Sequence, residues 1–331
     1  MAGTIPLGRF CWHELLTTDT DAAAAFYTKV VGWGLIPWEQ DPSYRMWSAD
    51  GVPIGGLMAL PDDAKRMGAP PHWLWYGSTP NVDDTVAHAY RLGAKPLSGM
   101  IDVPNVGRMA VMSDPQGAVF AAYQPAGETS GHDGKPRVGE FSWHELATTD
   151  WKAAFDFYRA LFGWEKTDVM DMGPGGMYLM FGRLGVTLGG IYNKPPEMPA
   201  PPHWLCYARV PDADKAAALA TKLGGKILNG PMDPPGGDRI YQCMDPQGAA
   251  FAVHAVAVAA VVAARPAKRA AKPKAAPAKK TTKKKTKSAK KKTARKQAKR
   301  KPARRAAKTR KPLRSKKKPA KRTARRKGRL R

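Results

Sequence analysis

The feature that most constrains the fold of this chain is an internal duplication at a spacing of 131 residues. The segment GRFCWHELLTTD, which begins at Gly8, returns as GEFSWHELATTD at Gly139. The short runs PPHWL and DPQGA also occur twice at this spacing, and a Gly-Gly pair recurs at a spacing of 134. A fixed period of this kind indicates one structural unit that is encoded twice. We therefore predict two copies of one fold.

The predicted boundaries follow from these matches and from composition. Residues 1–126 form the first domain, residues 138–258 form the second, and residues 127–137 are a linker rich in Gly, Pro and charge. Residues 259–331 form a tail of different composition. The body is long enough to bury one or two hydrophobic cores.

Each copy is predicted to contain two similar half-units, each a strand, a helix and three further strands. The segment Gly8–Thr17 alternates and carries aromatic residues, which is typical of a strand, and Thr18 or Asp19 can cap the helix that follows. That helix has an apolar stripe at helical spacing and ends before Gly32, which suits a left-handed C-cap. A second round begins at His72. The four half-units predict an α+β fold built from βαβββ units.

Charge separates the body of the chain from its tail. Residues 1–264 carry 20 Lys+Arg against 27 Asp+Glu, whereas residues 265–331 carry 35 Lys+Arg and no acidic residue. The tail has almost no large apolar side chains, so it cannot offset the entropy of ordering and is predicted to be disordered. Its pattern resembles the C-terminal tails of linker histones. Such segments bind nucleic acids by releasing condensed counterions, so we predict non-specific binding of DNA or RNA.

The residues assigned to this binding are the basic clusters of the tail. They are Lys283, Lys284, Lys285, Lys290, Lys291, Lys292, Arg304, Arg305, Lys316, Lys317, Lys318, Arg325 and Arg326. The alternatives are a solubilising segment, a patch for anionic membranes and, in a eukaryote, a nuclear address. The number of charges exceeds what an address needs, which favours nucleic acid.

Composition excludes several other classes of protein. The three cysteines, Cys11, Cys206 and Cys243, include no Cys-x-x-Cys pair, so neither a disulfide framework nor a zinc ribbon is expected. The longest apolar stretch, 255–264, is shorter than the roughly 20 residues that cross a bilayer, and no secretory signal opens the chain. We expect a cytoplasmic protein without a membrane partner, associated with the nucleoid through its tail.

The repeated motifs resemble those of the vicinal oxygen chelate (VOC) superfamily of glyoxalases, bleomycin-resistance proteins and extradiol dioxygenases. Both copies carry Thr-x-Asp before a helix, Phe-Tyr and Gly-Trp after it, Gly-Gly in mid-copy and Asp-Pro-x-Gly before the last strand. The resemblance implies curved mixed sheets around a concave pocket in each copy, with helices outside. It also implies that the tandem copies pair within one chain. It does not settle the chemistry, because one fold serves many functions.

Members of the superfamily that bind a metal ion use His and Glu side chains on four strands facing the pocket. The resemblance places these positions at Trp12 and Trp143, Leu74 and Leu205, Ala121 and Ala252, and within Leu57–Leu60. None of these side chains is a usual ligand of a divalent ion. We therefore expect the usual metal site to be absent and predict no cofactor. If a divalent metal does bind, its candidate ligands are His13, His144, His72 and His203.

The candidate catalytic residues are Glu14 and Glu145, one in each copy. Strand alternation puts them on the same side as Trp12 and Trp143, facing the pocket. A carboxyl group beside Trp in a cleft has a raised pKa and can act as a base. The alternative is that each Glu pairs with a nearby Arg or lies at a wet rim.

His13 and His144 lie one residue away from the position of a family ligand. A shift of one residue turns a side chain to the other face of a sheet. We therefore expect His13 to point towards the helices, together with Cys11 and Leu15, where a backbone group satisfies it.

The candidate ligand-binding residues are one Trp of the opening strand and the His-Trp pair of the second round in each copy. They are Trp12, His72, Trp73, Trp143, His203 and Trp204. The two histidines are expected to face the pocket, on the same side of the sheet as Leu74, and to contact a substrate. The alternative is a structural role at the start of a strand. The Trp rings can line a pocket for a flat or apolar ligand, or they can fill the core.

Three functions of different classes remain open. The first is an enzyme of glyoxalase type that uses a bound metal or the two glutamates as base. The second is a metal-free binding protein for a small aromatic or apolar ligand. The third is a nucleoid-associated protein whose tail coats DNA. The residues favour a tandem glyoxalase-like body, without the usual metal, tethered to nucleic acid by its tail.

Overall fold

A computed structural model describes residues 5–128 and 130–256 of the chain. The predicted tail at 259–331 and all of its candidate nucleic-acid-binding residues lie outside the described residues. Within the described ranges, no helix is long and apolar enough to cross a membrane.

The elements of the first copy follow the predicted strand–helix–strand order, with a short additional helix before the second round and a short additional strand within it. They are β1 (Phe10–Thr17), α1 (Thr20–Val30), β2 (Gly34–Trp38), β3 (Asp41–Ala49), β4 (Val52–Ala59), α2 (Asp62–Arg66), β5 (His72–Ser78), α3 (Val82–Arg91), β6 (Lys95–Pro96), β7 (Ile101–Val103), β8 (Gly107–Ser113) and β9 (Val119–Pro125).

Among the described residues, the second copy repeats this order without equivalents of α2 and β7, and a 3₁₀ turn at Gly173–Gly175 connects its second and third strands. Its elements are β10 (Phe141–Thr148), α4 (Trp151–Phe162), β11 (Glu165–Asp171), β12 (Met177–Arg183), β13 (Val186–Asn193), β14 (His203–Arg209), α5 (Ala213–Lys222), β15 (Lys226–Met232), β16 (Arg239–Met244) and β17 (Ala250–Ala255).

Each copy forms one mixed sheet in which its two half-units join edge to edge. The strand order in the first copy is β2-β3-β4-β1-β5-β9-β8-β6, with β7 beside β8. The second copy has the equivalent order β11-β12-β13-β10-β14-β17-β16-β15. The opening strands of the half-units, β1 and β5, are antiparallel neighbours, whereas β1 runs parallel to β4. The predicted α+β fold of two tandem βαβββ pairs is confirmed.

Helix α1 begins and ends at residues that the sequence favours. Asp19 caps it, because its side chain accepts hydrogen bonds from two backbone N–H groups of the first turn. Gly32 follows the helix with a φ of 88°, a left-handed conformation that glycine adopts without steric cost. Asp150 and Gly163 play the same parts in α4.

The two copies share one hydrophobic core. A continuous cluster of buried apolar residues contains side chains from both of them. The first helix of each copy packs on the second half of the other copy. Phe26 of α1 meets Phe251 of β17 edge to face, with ring centroids 5.8 Å apart, and Phe157 of α4 meets Phe120 of β9 at the same distance. Much of the apolar face of α1 and of α4 is therefore buried by the opposite copy.

Polar contacts across this interface repeat with the same symmetry. The Tyr27 hydroxyl donates to Asp245 Oδ2, and the Tyr158 hydroxyl donates to Asp114 Oδ2, both at 3.1 Å. The two aspartates belong to the repeated DPQGA runs, where the other carboxylate oxygen accepts three backbone N–H groups of its own turn. The Asp-Pro-x-Gly motif thus links a local turn to the contact between copies.

The predicted orientation of Cys11 is wrong. The sequence pattern puts Cys11 on the same side of β1 as His13, but a β-bulge at the start of this strand interrupts the alternation. Cys11 instead packs against Leu74 on the opposite face, and its thiol donates to the carbonyl oxygen of Tyr76 at 3.3 Å.

Candidate functional site

We use the term cup face for the face of each sheet that lies opposite the shared core. In the first copy, Glu14 is almost fully buried on this face and both of its carboxylate oxygens accept hydrogen bonds. Tyr44 donates to Oε1 at 2.8 Å and Tyr76 donates to Oε2 at 2.6 Å. Trp12 donates from Nε1 to the Tyr44 hydroxyl at 3.0 Å. Glu14 therefore pairs with tyrosines rather than with an arginine.

The second copy repeats this network with one addition. Tyr178 donates to Glu145 Oε2 at 2.8 Å, and Trp143 donates to the Tyr178 hydroxyl at 2.9 Å. The amide of Gln242 donates to Glu145 Oε1 at 2.9 Å and contacts the Tyr207 hydroxyl at 3.1 Å. The second network therefore includes a side-chain amide that the first lacks.

Burial raises the pKa of Glu14 and of Glu145 above the usual value of 4.5, because removal from water penalises a charged carboxylate. The hydrogen bonds from tyrosine oppose this shift, since they favour the charged form, but burial is the larger effect. Burial and the neighbouring carboxylate also raise the pKa of Tyr44 and Tyr178, so both hydroxyls remain donors.

The repeated Gly-Gly pair makes room for this network. Gly56 of β4 is the register partner of Glu14, and a Cβ atom added to it would lie 2.0 Å from the Tyr44 hydroxyl. Gly190 has the same relation to the Tyr178 ring, at 2.1 Å. The motif therefore serves the site as well as the fold.

Around each network the cup face is apolar and partly exposed. In the first copy this surface is formed by Trp12, Met58, Met109, Val111, Val119 and Tyr123. In the second copy Tyr192 stands at the place of Met58, and Gln242 at that of Val111. Tyr192 stacks on Tyr178 with centroids 5.9 Å apart. Aromatic and Met side chains suit flat, apolar molecules.

The metal ion that the superfamily implies does not fit the residues of either cup face. The positions implied for its ligands hold Trp, Leu and Ala, and Leu74 and Ala121 pack there within an apolar cluster. The carboxyl groups of Glu14 and Glu145 already accept hydrogen bonds on both oxygens. The cup faces therefore present an apolar surface rather than the donor set of a metal centre.

His72 and His203 stand at the starts of β5 and β14. Each ring donates from Nδ1 to a carbonyl oxygen two residues earlier, at 2.7 and 2.8 Å. His72 is the register partner of Leu16, which lies on the cup side, and burial lowers its pKa. Contact of either histidine with a ligand stays a prediction.

Trp73 and Trp204 lie in the shared core and not on the cup face, so the structure does not place them where they were expected to bind a ligand. Their Nε1 groups donate to the hydroxyls of Tyr27 and Tyr158, each at 3.0 Å. The reason is strand alternation, which turns a residue next to cup-facing Leu74 to the opposite side.

His13 and His144 also lie on the core side, where neither can act in a cup. The expected backbone partner of His13 is replaced by the other histidine, because the two Nε2 atoms lie 2.7 Å apart. His144 additionally donates from Nδ1 to the carbonyl oxygen of Leu188 at 3.2 Å.

Sequence reasoning missed several members of the networks, namely Tyr44, Tyr76, Tyr207 and Gln242. The recurrence of Tyr76 at 207 and of Tyr44 at 178 was a signal that could have found the tyrosines. Gln242 carried no such signal, because its equivalent is Val111.

The fold and the repeated motifs define the class of protein. The sequence profile of the Glyoxalase/Bleomycin resistance protein/Dioxygenase superfamily matches residues 9–121 and 140–253. The chain belongs to this superfamily, with one match in each copy.

Two curated relatives span most of the body. "Putative glyoxylase CFP32" of Mycobacterium tuberculosis is 32% identical over 248 residues, covering 73% of this chain and 92% of that protein. "Anthracycline biosynthesis protein DnrV" of Streptomyces peucetius is 31% identical over 260 residues, covering 74% and 92%.

Solved structures with the same fold include a metal-bound glyoxalase and a ring-cleaving dioxygenase. The Mn(II)-bound glyoxalase from Novosphingobium aromaticivorans has a TM-score of 0.53 at 16% identity, covering 76% of this chain and 83% of that one. An extradiol ring-cleaving dioxygenase from B. fuscum has a TM-score of 0.53 at 17% identity, covering 77% and 73%. At these identities the likeness concerns the fold alone.

Proposed function

We propose that the body of this protein binds a flat, largely apolar small molecule on each cup face without a metal ion there. The observation that carries the proposal is a partly exposed surface of aromatic and Met side chains around a buried carboxyl that tyrosines hold. Such a surface gains free energy by covering apolar area, and its fixed rings favour planar ligands.

Within this proposal, Glu14 is a positioning residue. The carboxyl of Glu14 is almost fully buried, and a tyrosine hydroxyl donates to each of its oxygens, so the group is fixed behind the aromatic surface. Glu14 fixes the Tyr44 hydroxyl, which in turn accepts from Trp12 and sets the orientation of its indole ring. The carboxyl thus holds the aromatic surface in one conformation.

The names of the relatives support an aromatic ligand. DnrV is named as an anthracycline biosynthesis protein, as is DauV of another Streptomyces strain. Conversion of a small molecule by a glyoxalase-type reaction is the alternative that the name of CFP32 supports.

Ligand binding is tested by equilibrium dialysis of the full chain with 1,8-dihydroxyanthraquinone, a neutral planar probe. We expect two bound molecules per chain. Trp12→Ala and Trp143→Ala should each remove one of them, because each deletes the indole of one cup. Trp151→Ala is the matched control, since Trp151 is a partly exposed ring of helix α4 outside both cups. Unchanged binding in the double variant would reject the proposal.

We further propose that residues 265–331 bind nucleic acid without sequence preference and hold the protein on the nucleoid. The support is the 35 Lys+Arg and the absence of acidic residues in this segment, against a body with a net charge of −7. The absence of aromatic residues from the segment disfavours stacking on bases, which leaves phosphate contacts.

Nucleic-acid binding is tested by mobility shift of a random DNA duplex with the full chain and with residues 1–264, across a range of salt concentrations. We expect the affinity of the full chain to fall steeply with salt and to be the same for unrelated sequences. Truncation should lower the affinity about a hundredfold or more at low salt, because each lost phosphate contact removes one released counterion. Retention of DNA by residues 1–264 at moderate salt would contradict the assignment, and competition with an RNA duplex distinguishes the two nucleic acids.

A further inference from the structure

A group of potential metal ligands lies between the two copies, on the opposite face of the sheets from the cup networks. His13 of β1 and His144 of β10 occupy equivalent positions, are both almost fully buried, and point their Nε2 atoms at each other. A residue that meets its own equivalent lies on the symmetry axis of an isologous interface. The repeat therefore brings together two imidazoles from a single motif.

Cys206 completes the group. It is the register partner of His144 on β14, and its sulfur lies with the two imidazole nitrogens in a cluster whose atoms are all within 4.8 Å of one another. Its thiol is fully buried and has no hydrogen-bond partner among the described residues. The equivalent position in the first copy is Trp75, so the cluster contains two nitrogens and one sulfur.

The surroundings of the imidazoles suit metal ligation. The Nδ1–H of His144 donates to a backbone carbonyl, which leaves its Nε2 lone pair free to accept. Contacts of this kind orient histidine ligands in metal sites. Phe10 stacks on His144 and Phe141 stacks on His13, with centroids 3.5 and 3.7 Å apart, so an aromatic ring covers one face of each imidazole.

A cavity of about 290 Å³ lies next to the two histidines. Part of its wall comes from the predicted linker, between Gly131 and Arg137. The acidic groups of this wall are already paired, Asp133 with Arg9 and Glu140 with Arg137. The cavity therefore has room for a water molecule or small anion beside the cluster, without a competing free carboxylate.

We propose that His13, His144 and Cys206 bind one divalent metal ion of the zinc type between the two copies, with a fourth position open to the cavity. Nitrogen and sulfur donors select such ions over magnesium or calcium. Two zinc–nitrogen bonds of about 2.05 Å at a tetrahedral angle need a nitrogen–nitrogen separation of about 3.3 Å. The two rings therefore have to move apart only slightly from their hydrogen-bonded distance of 2.7 Å.

This site is separate from the cups and from the position that the superfamily implies for a metal. A hydrogen bond between the imidazoles accounts for the contact of His13 with His144 but does not involve the thiol of Cys206, which packs in the core beside them. Metal binding accounts for all three side chains. The ion would link β1 of one copy to β10 and β14 of the other.

The test uses the full chain produced in cobalt-supplemented medium, so that the buried site fills during folding. We expect one cobalt ion per chain by elemental analysis, the intense visible bands of tetrahedral cobalt, and a thiolate-to-cobalt charge-transfer band. The tail contains no His, Cys, Asp or Glu and so supplies no ligand to the ion. Protein without bound cobalt, or with cobalt but without the charge-transfer band, overturns the proposal, and this readout requires no variant.

Two cysteine variants locate the ligand. Cys206→Ser should abolish the charge-transfer band and lower bound cobalt about tenfold or more, whereas Cys243→Ser should retain both, because Cys243 is buried in the same copy outside the cluster. The double variant Trp12→Ala/Trp143→Ala should keep its full cobalt content, which separates this proposal from ligand binding in the cups. Persistence of the band in folded Cys206→Ser protein would assign the sulfur elsewhere and reject the site.

Discussion

At the scale of single residues, the carboxyl groups of the cup faces combine two opposing effects. Desolvation favours the protonated form of Glu14 and Glu145, whereas the donors around them favour the charged form. Because desolvation is the larger effect, each carboxyl binds a proton more tightly in the folded protein than in the unfolded chain. Its contribution to stability is therefore complete at pH values below the unfolded pKa, and it is lost as the pH rises through the raised, folded pKa.

This balance predicts the pH dependence of stability. We expect the unfolding free energy of the wild-type chain to fall, relative to that of Glu14→Gln/Glu145→Gln, as the pH is raised from about 4.5 to 8, since Gln has no charge to bury. Urea denaturation at several pH values measures the difference. Glu165→Gln changes an exposed carboxyl of β11 and is expected to show a much smaller effect. A wild-type chain that gains stability over the variant with rising pH would mean that the tyrosine hydrogen bonds dominate.

At the scale of elements, the sequence predicts the features that depend on strand alternation and helix capping, namely the facing of side chains and the ends of helices. The strand at β1, the cap at Asp19 and the left-handed Gly32 all follow from local chemistry, as does the cup-facing side of Glu14. The bulge that turns Cys11 to the other face does not follow, because it depends on the pairing of β1 with β5.

The hydrogen-bond partners of buried polar groups could not be predicted from the local sequence either. Glu14 finds its partners on β3 and β5, and His13 finds its partner in the other copy. Strand alternation determines the face of the sheet to which a side chain points. The residues that it contacts on that face depend on how the strands assemble. The fold and the facing of the glutamates were therefore predictable, whereas the tyrosine networks and the histidine pair were not.

The hydroxyl of Tyr27 in helix α1 gives a prediction at this scale. It accepts from Trp73 Nε1 and donates to Asp245 Oδ2 in the other copy. Tyr27→Phe leaves two buried polar groups without this partner, so we expect a loss of about 1–3 kcal/mol in the free energy of unfolding. Urea denaturation measures it, with the exposed Tyr90→Phe as control. A loss no greater than that of the control would show that water or rearrangement replaces the hydroxyl.

At the scale of the whole molecule, the duplication explains how the core is built. Helices α1 and α4 pack on the opposite copies, and the buried apolar cluster runs through both. A single copy would therefore expose one side of this cluster to water, at a cost of roughly 25 cal/mol for each Å² uncovered. The stability of each copy therefore depends on the equivalent apolar surface of the other copy.

This dependence predicts how fragments of the chain behave. We expect residues 1–128 alone to aggregate, to dimerise through the exposed core surface, or to lack cooperative unfolding, because the apolar face of α1 has lost its partner. Co-expression with residues 130–331 should restore a one-to-one complex with the unfolding transition of the intact body, measured by circular dichroism and sedimentation. A chain cut at a protease site inserted after Glu128 is the control, since both halves then fold before they are separated. A stably folded monomer of residues 1–128 would contradict the shared core, because it would show that one copy buries enough apolar surface by itself.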